Sequence, residues 1–107
     1  MIIRGNKIFL NNNELEFDKN VLEAIEYQSK IIVVLDSNEI DNVFCYSFDA
    51  KMLWKMDSSE ITNVGTDKDP CIGVRLVDEK CVAFDFFGRK YILIIDNGKV
   101  EKGEILR

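Results

Sequence analysis

Histidine is absent from the 107 residues. That removes the commonest general base at neutral pH and the commonest nitrogen ligand for a metal. Proline occurs once, at Pro70, and the six glycines are scattered, so no Pro- or Gly-rich linker divides the chain. Cysteine occurs three times, at Cys45, Cys71 and Cys81, with no CxxC spacing. An odd count without that spacing is neither a disulfide framework nor a zinc knuckle. Cys45 and Cys81 stand inside apolar stretches, where a thiol acts as a small hydrophobe. The longest apolar run, Ile31 to Leu35, is far below the ~20 residues of a membrane-spanning helix. Met1-Ile2-Ile3-Arg4-Gly5 has too short an apolar stretch for a signal peptide, and its charge follows instead of preceding, so the cytosol is expected. No GxGxxG, P-loop or GxSxG occurs. Asp36-Ser37-Asn38 lacks the continuation of a calcium loop. Carboxylate pairs such as Glu14/Glu16 or Glu39/Asp41 are better explained by the wet side of a strand or loop. The expectation is no enzyme, no catalytic residue, no cofactor and no metal.

Apolar content of 47% with 31% charged residues is ordinary for a soluble globular chain, and the length suits one domain spanning 1–107. The net charge of −5 is unevenly spread. Through Glu60 there are eleven acidic and six basic residues; from Ile61 onward there are eight of each. The acidic part includes Glu14, Glu16, Asp18, Glu23, Glu26, Asp36, Glu39 and Asp41. Such a field disfavours nucleic acid and anionic membranes, and it speeds encounter with a basic protein.

The patterned part of the chain is a strand–turn–strand unit that occurs twice. Asn42 to Phe48, a turn at Asp49-Ala50, and Lys51 to Met56 match Lys80 to Phe86, Phe87-Gly88, and Arg89 to Ile94. The offset is 38 residues, and the match is written without a gap. Phe44, Tyr46 and Phe48 alternate with Val43, Cys45 and Ser47, as Val82, Phe84 and Phe86 alternate with Cys81, Ala83 and Asp85. A bulky face thus backs a small face, which lets stacked sheets approach closely. Met52, Trp54 and Met56 are read as one stripe, core by the ordinary view and an exposed anchor by the alternative.

Elsewhere, Lys7 to Leu10 and Glu14 to Phe17 read as a hairpin around Asn11-Asn12-Asn13. Val21 to Tyr27 is ambiguous; a helical turn capped by Asp18 and giving way to extended chain is expected, with strand as the alternative. Ile31 to Leu35, apolar at every position, has the pattern of a strand covered on both faces. Asp57 to Asp69 carries little pattern, Cys71 to Val77 reads as a strand, and Asn97-Gly98 signals a hairpin whose two turn residues accept positive φ.

The unit resembles β-propeller blades of the quinoprotein-like kind, through Tyr46, Asp49, Leu53 and Trp54 in the first copy. In the second copy Phe84, Asp85, Gly88, Tyr91 and Asn97-Gly98-Lys99-Val100 carry the likeness. Ala50 stands where the blade pattern has glycine, and the second copy has no tryptophan. Two blades cannot close a ring of the typical 4–8, so no quinoprotein cofactor site carries over. In size, acidity and compact β character the chain is also similar to small bacterial immunity proteins, the cytosolic inhibitors of delivered toxins.

The expected fold is all-β: an antiparallel meander of two blade-like sheets with at most one short helical turn. Residues 1–57 would hold the N-terminal hairpin, completing one sheet, plus the first unit; residues 58–107 would hold the second unit. The expected function is an acidic protein-binding module that neutralises a basic toxin, a nuclease, through the eight carboxylates named above. It would be a monomer or weak homodimer, with self-association through open sheet edges as the alternative.

Overall fold

The computed structural model describes residues 1–65 and 67–105. It is all-β, with strands that pair antiparallel in three sheets. The first sheet holds β1 (Ile2–Arg4), β2 (Lys7–Phe9) and β3 (Glu14–Glu16). The second holds β4 (Val21–Tyr27), β5 (Lys30–Leu35), β6 (Val43–Ser47) and β7 (Met52–Lys55). The third holds β8 (Cys71–Val77), β9 (Lys80–Asp85), β10 (Arg89–Leu93) and β11 (Val100–Ile105). Each is a meander in chain order, and none closes on itself. No helix among the described residues is long and apolar enough to cross a membrane.

The unbroken apolar run of β5 sets the layering. Ile32 and Val34 join Val43, Cys45 and Trp54 in a core shared with Cys71, Val74, Cys81, Ala83 and Tyr91 of the third sheet. Ile31, Val33 and Leu35 point the other way, into a second core with Ile8, Leu15 and Phe17. The second sheet is therefore the middle of three layers, covered on both faces as its sequence predicts. The two four-stranded sheets meet through their small faces, Val43 and Cys45 against Cys81 and Ala83.

Four expectations need correction. The N-terminal hairpin does not complete a four-stranded sheet; with β1 it makes a sheet of its own, because its apolar residues are needed as a cover for Ile31, Val33 and Leu35. Val21 to Tyr27 is a strand, not a helical turn. It supplies the edge partner that the buried backbone of β5 requires, and that pairing outweighs a weak local helix preference. The repeat does carry a gap: Cys45 pairs with Trp54 and Ala83 with Tyr91, so Trp54 and Tyr91 are equivalent at 37 residues, not 38. A bulge in β7 at Leu53 absorbs the extra residue and turns Met52 out of the stripe. Met52 is 57% exposed, whereas Trp54 is 6% exposed and belongs to the core. Lastly, the β10–β11 hairpin exists, but Ile94 and Lys99 close a four-residue loop in which Gly98 alone has positive φ.

The two repeat turns share one geometry. Ala50 has φ +68° and Gly88 φ +87°; Ala50 N–H donates to the Ser47 carbonyl, as Gly88 N–H does to that of Asp85. Ala50 thus holds a left-handed conformation that its Cβ disfavours. Ala50→Gly is expected to stabilise the protein by about 1 kcal/mol, the relief of that strain less the extra freedom of the unfolded chain. Gly88→Ala should cost a similar amount. Urea midpoints of the two variants, moving in opposite directions, check this.

The unpatterned stretch after β7 is packed. Val64 is buried, and a Cβ on Gly103 would lie 2.7 Å from Ile61 and 2.9 Å from Val64. Asn63 Nδ2 donates to the Gly103 carbonyl at 2.8 Å. No periodicity announces this, because an irregular segment gains its burial from one glycine on β11.

Candidate functional site

The eight acidic residues fall into distinct settings. On β3, buried Leu15 separates exposed Glu14 and Glu16, and Lys7 of β2 reaches both, at 3.1 and 3.7 Å. Its ammonium is held above the ordinary lysine value, chiefly by the hydrogen bond to Glu14. Asp18 and Glu39 line one open groove of about 340 Å³ with Lys19, Lys55 and Phe44. Asp36 is exposed beside it, with its backbone N–H donating to the Asn20 carbonyl at 2.8 Å. Glu26 lies apart from these, lining a groove of about 410 Å³ with Leu10 and Phe48.

The remaining two are turned inward. Glu23 Oε1 accepts a hydrogen bond from Val74 N–H at 2.9 Å, tying β4 to β8. Glu23 alternates in phase with Ile25, opposite Val34 and Ile32, and so points toward the third sheet; the bulge before it turns Val21 to the other face, opposite Leu35. Asp41, at φ +59°, accepts from the Ser58 hydroxyl at 2.6 Å and braces the buried start of the following loop. These two carboxylates are structural; Glu14, Glu16, Asp18, Glu26, Asp36 and Glu39 are exposed, Glu14 and Glu16 beside Lys7 and Glu26 4.0 Å from the N-terminal ammonium.

The cysteines are part of the main core. Burial pushes the Cys45 thiol up to about 11 and those of Cys71 and Cys81 up to about 12. They are protonated at neutral pH and serve as packing, as the apolar surroundings of Cys45 and Cys81 in the sequence imply. Among the described residues, no three His, Cys, Asp or Glu side chains gather as a metal site.

A different surface carries features that the sequence pattern does not single out. On the outer face of the third sheet, register sets Arg75, Val82, Ile92 and Lys102 in one cross-strand row. Gly73, Phe84, Lys90 and Glu104 form the next, and Val77 faces Lys80. The Arg75 guanidinium lies 4.6 Å from the centre of the Phe84 ring, which spreads over Gly73. Beyond Phe84, the β9–β10 turn presents Phe86 at 77% and Phe87 at 65% exposure, edge to face at 5.5 Å. The turn is fixed from below. Buried Asp85 accepts N–H bonds from Phe87 and Arg89 at 2.9 Å each, and the Arg89 guanidinium bonds Asp85 at 3.1 Å and Asp69 at 2.6 Å. The one hint in the sequence is two adjacent phenylalanines in a tight turn, where polar residues are usual.

A family model described as a domain of unknown function (DUF7957) matches residues 1–105, and the chain belongs to that family. No curated protein and no solved structure matches the chain.

Proposed function

We propose that this member of the DUF7957 family is a cytosolic protein-binding module that acts as an immunity protein, neutralising a basic bacterial toxin. The toxin is a nuclease, and the acidic N-terminal surface covers its cleft. The observation that supports this most is the outward placement of Glu14, Glu16, Asp18, Asp36 and Glu39 on a rigid β stack. The packed cores beneath hold these carboxylates without further ordering, so little conformational entropy is lost on binding. A partner lysine or arginine entering the groove would meet Asp18 and Glu39 together. Lys7, Lys19 and Lys55 moderate the field and help set register, so the surface supplies steering more than raw affinity.

The test is a quadruple variant, Glu14→Lys, Glu16→Lys, Asp18→Lys and Glu39→Lys, against a basic nuclease toxin domain that the unaltered chain binds. Stopped-flow association at low salt should slow by at least about tenfold, and its salt dependence should flatten. An unchanged rate and salt slope would overturn the assignment. A second reading, self-association, is favoured by the open edge of β7, where Met52 and Leu53 are both exposed. Light scattering over a concentration series separates the two, since a persistent monomer excludes assembly.

A further inference from the structure

We propose that the outer face of the third sheet docks an acidic, extended protein segment in which apolar and acidic residues alternate and one side chain is aromatic. This goes beyond the acidic-surface reading and does not depend on it.

The internal repeat shows what such a face accepts. Phe84 is the counterpart of Tyr46, by the offset that holds on β6 and β9. In the second sheet the face bearing Tyr46 is covered by the first sheet, and Phe17 meets the Tyr46 ring edge-on at 5.4 Å. In the third sheet no strand of the described residues covers the corresponding face. There the Phe84 ring lies over Gly73 and holds Arg75 within its own sheet, and Phe86 and Phe87 project at its end. The chain therefore builds the same bulky surface twice and covers it once, with a segment that reads Glu14-Leu15-Glu16-Phe17-Asp18.

Charge decides the rest. Arg75, Lys80, Lys90 and Lys102 surround Val82, Phe84 and Ile92 on this face; Glu104 is the acid in the same rows and lies 3.1 Å from Lys102, and Glu101 lies 3.8 Å from Lys80, so the cations still outnumber the acids. A second copy placed face to face would set these cations against their own images. A phosphate polymer would gain the cations, but its bases would find the Phe84 ring already engaged by Arg75 and Gly73. An acidic strand satisfies both sides: its carboxylates reach the cations, and its apolar residues meet Phe84, Phe86 and Phe87. The braced turn presents its two rings already ordered, which lowers the entropy lost on docking.

The probe is a capped peptide with the sequence of residues 11–18, titrated into the isotope-labelled full chain and followed by amide chemical shifts. Saturable shifts are expected on β8 to β10 and at Phe86 and Phe87, with Kd on the order of 1 mM or tighter. Arg75→Glu with Lys90→Glu should weaken binding at least about tenfold, as should Phe86→Ala with Phe87→Ala. These positions are exposed or half-exposed, and unchanged unfolding midpoints would confirm that the variants fold. The proposal is overturned if no saturable shifts occur, if the peptide perturbs only the first and second sheets, or if charge reversal has no effect. It also fails if oligothymidylate of equal length binds the same residues more tightly, because the face would then belong to nucleic acid.

Discussion

Asn42→Ala is expected to destabilise the protein by about 3–5 kcal/mol, a third or more of the stability usual for a domain of this size. Asn42 is 2% exposed and joins the second sheet to the third. Its Nδ2 donates to the Leu35 carbonyl at 2.7 Å and to the Cys71 carbonyl at 2.8 Å, while Oδ1 accepts from Cys71 N–H at 2.7 Å. Leu35 and Cys71 are themselves buried, so alanine would strand three backbone groups away from water. Each such group costs about 1–3 kcal/mol, and local relaxation keeps the sum below the simple total. Asn42→Asp keeps the shape but replaces the donor by an oxygen facing two carbonyls; it should cost at least as much at neutral pH. Guanidinium unfolding with unchanged slope and a lower midpoint is the expected result. A loss under about 1 kcal/mol would show that the amide is not what holds the sheets together.

Gly98→Ala should cost a comparable amount, about 2–5 kcal/mol, from two additive causes. Gly98 has φ +76°, and a Cβ there would lie 2.4 Å and 2.6 Å from atoms of the Trp54 indole. Trp54 has little room to retreat: it is buried in the main core, and its indole N–H donates to the Ile95 carbonyl at 2.6 Å. Left-handed strain accounts for about 1–2 kcal/mol and the forced overlap for about 1–3 kcal/mol. A double-mutant cycle separates them. In a Trp54→Leu background the penalty of Gly98→Ala should shrink toward the strain alone. An equal penalty in both backgrounds would mean that the indole is not the obstacle.

Both positions were visible in the sequence for other reasons. Asn42 opened the repeat and Gly98 marked a hairpin, yet neither was legible as a clamp. Asn42 bonds Cys71 across 29 residues, and the Trp54 indole that lies against Gly98 is fixed by a bond to Ile95 across 41. Nothing local announces a hydrogen bond over such a separation. The same holds for the acidic residues. Glu14 and Glu16 lie on a wet strand face as their alternation with Leu15 implies, whereas Glu23 shares the inward face of Ile25 and is engaged by the Val74 N–H, a partner 51 residues away that alternation cannot foresee. The exposed Phe86–Phe87 turn also escaped, because a bulky residue in an apolar pattern reads as core until the strand is known to end.

The amino-acid sequence alone determined the strand periodicity, the doubled unit with its small and bulky faces, and the two-sided burial of β5. These follow from side-chain size and the two-residue repeat of extended chain, which are local properties. Only the tertiary structure decided that the small faces would meet, that the N-terminal strands would cover one bulky face, and that the other would stay open. Those outcomes depend on which apolar surfaces find each other across tens of residues, where burial and hydrogen-bond satisfaction outweigh any local preference.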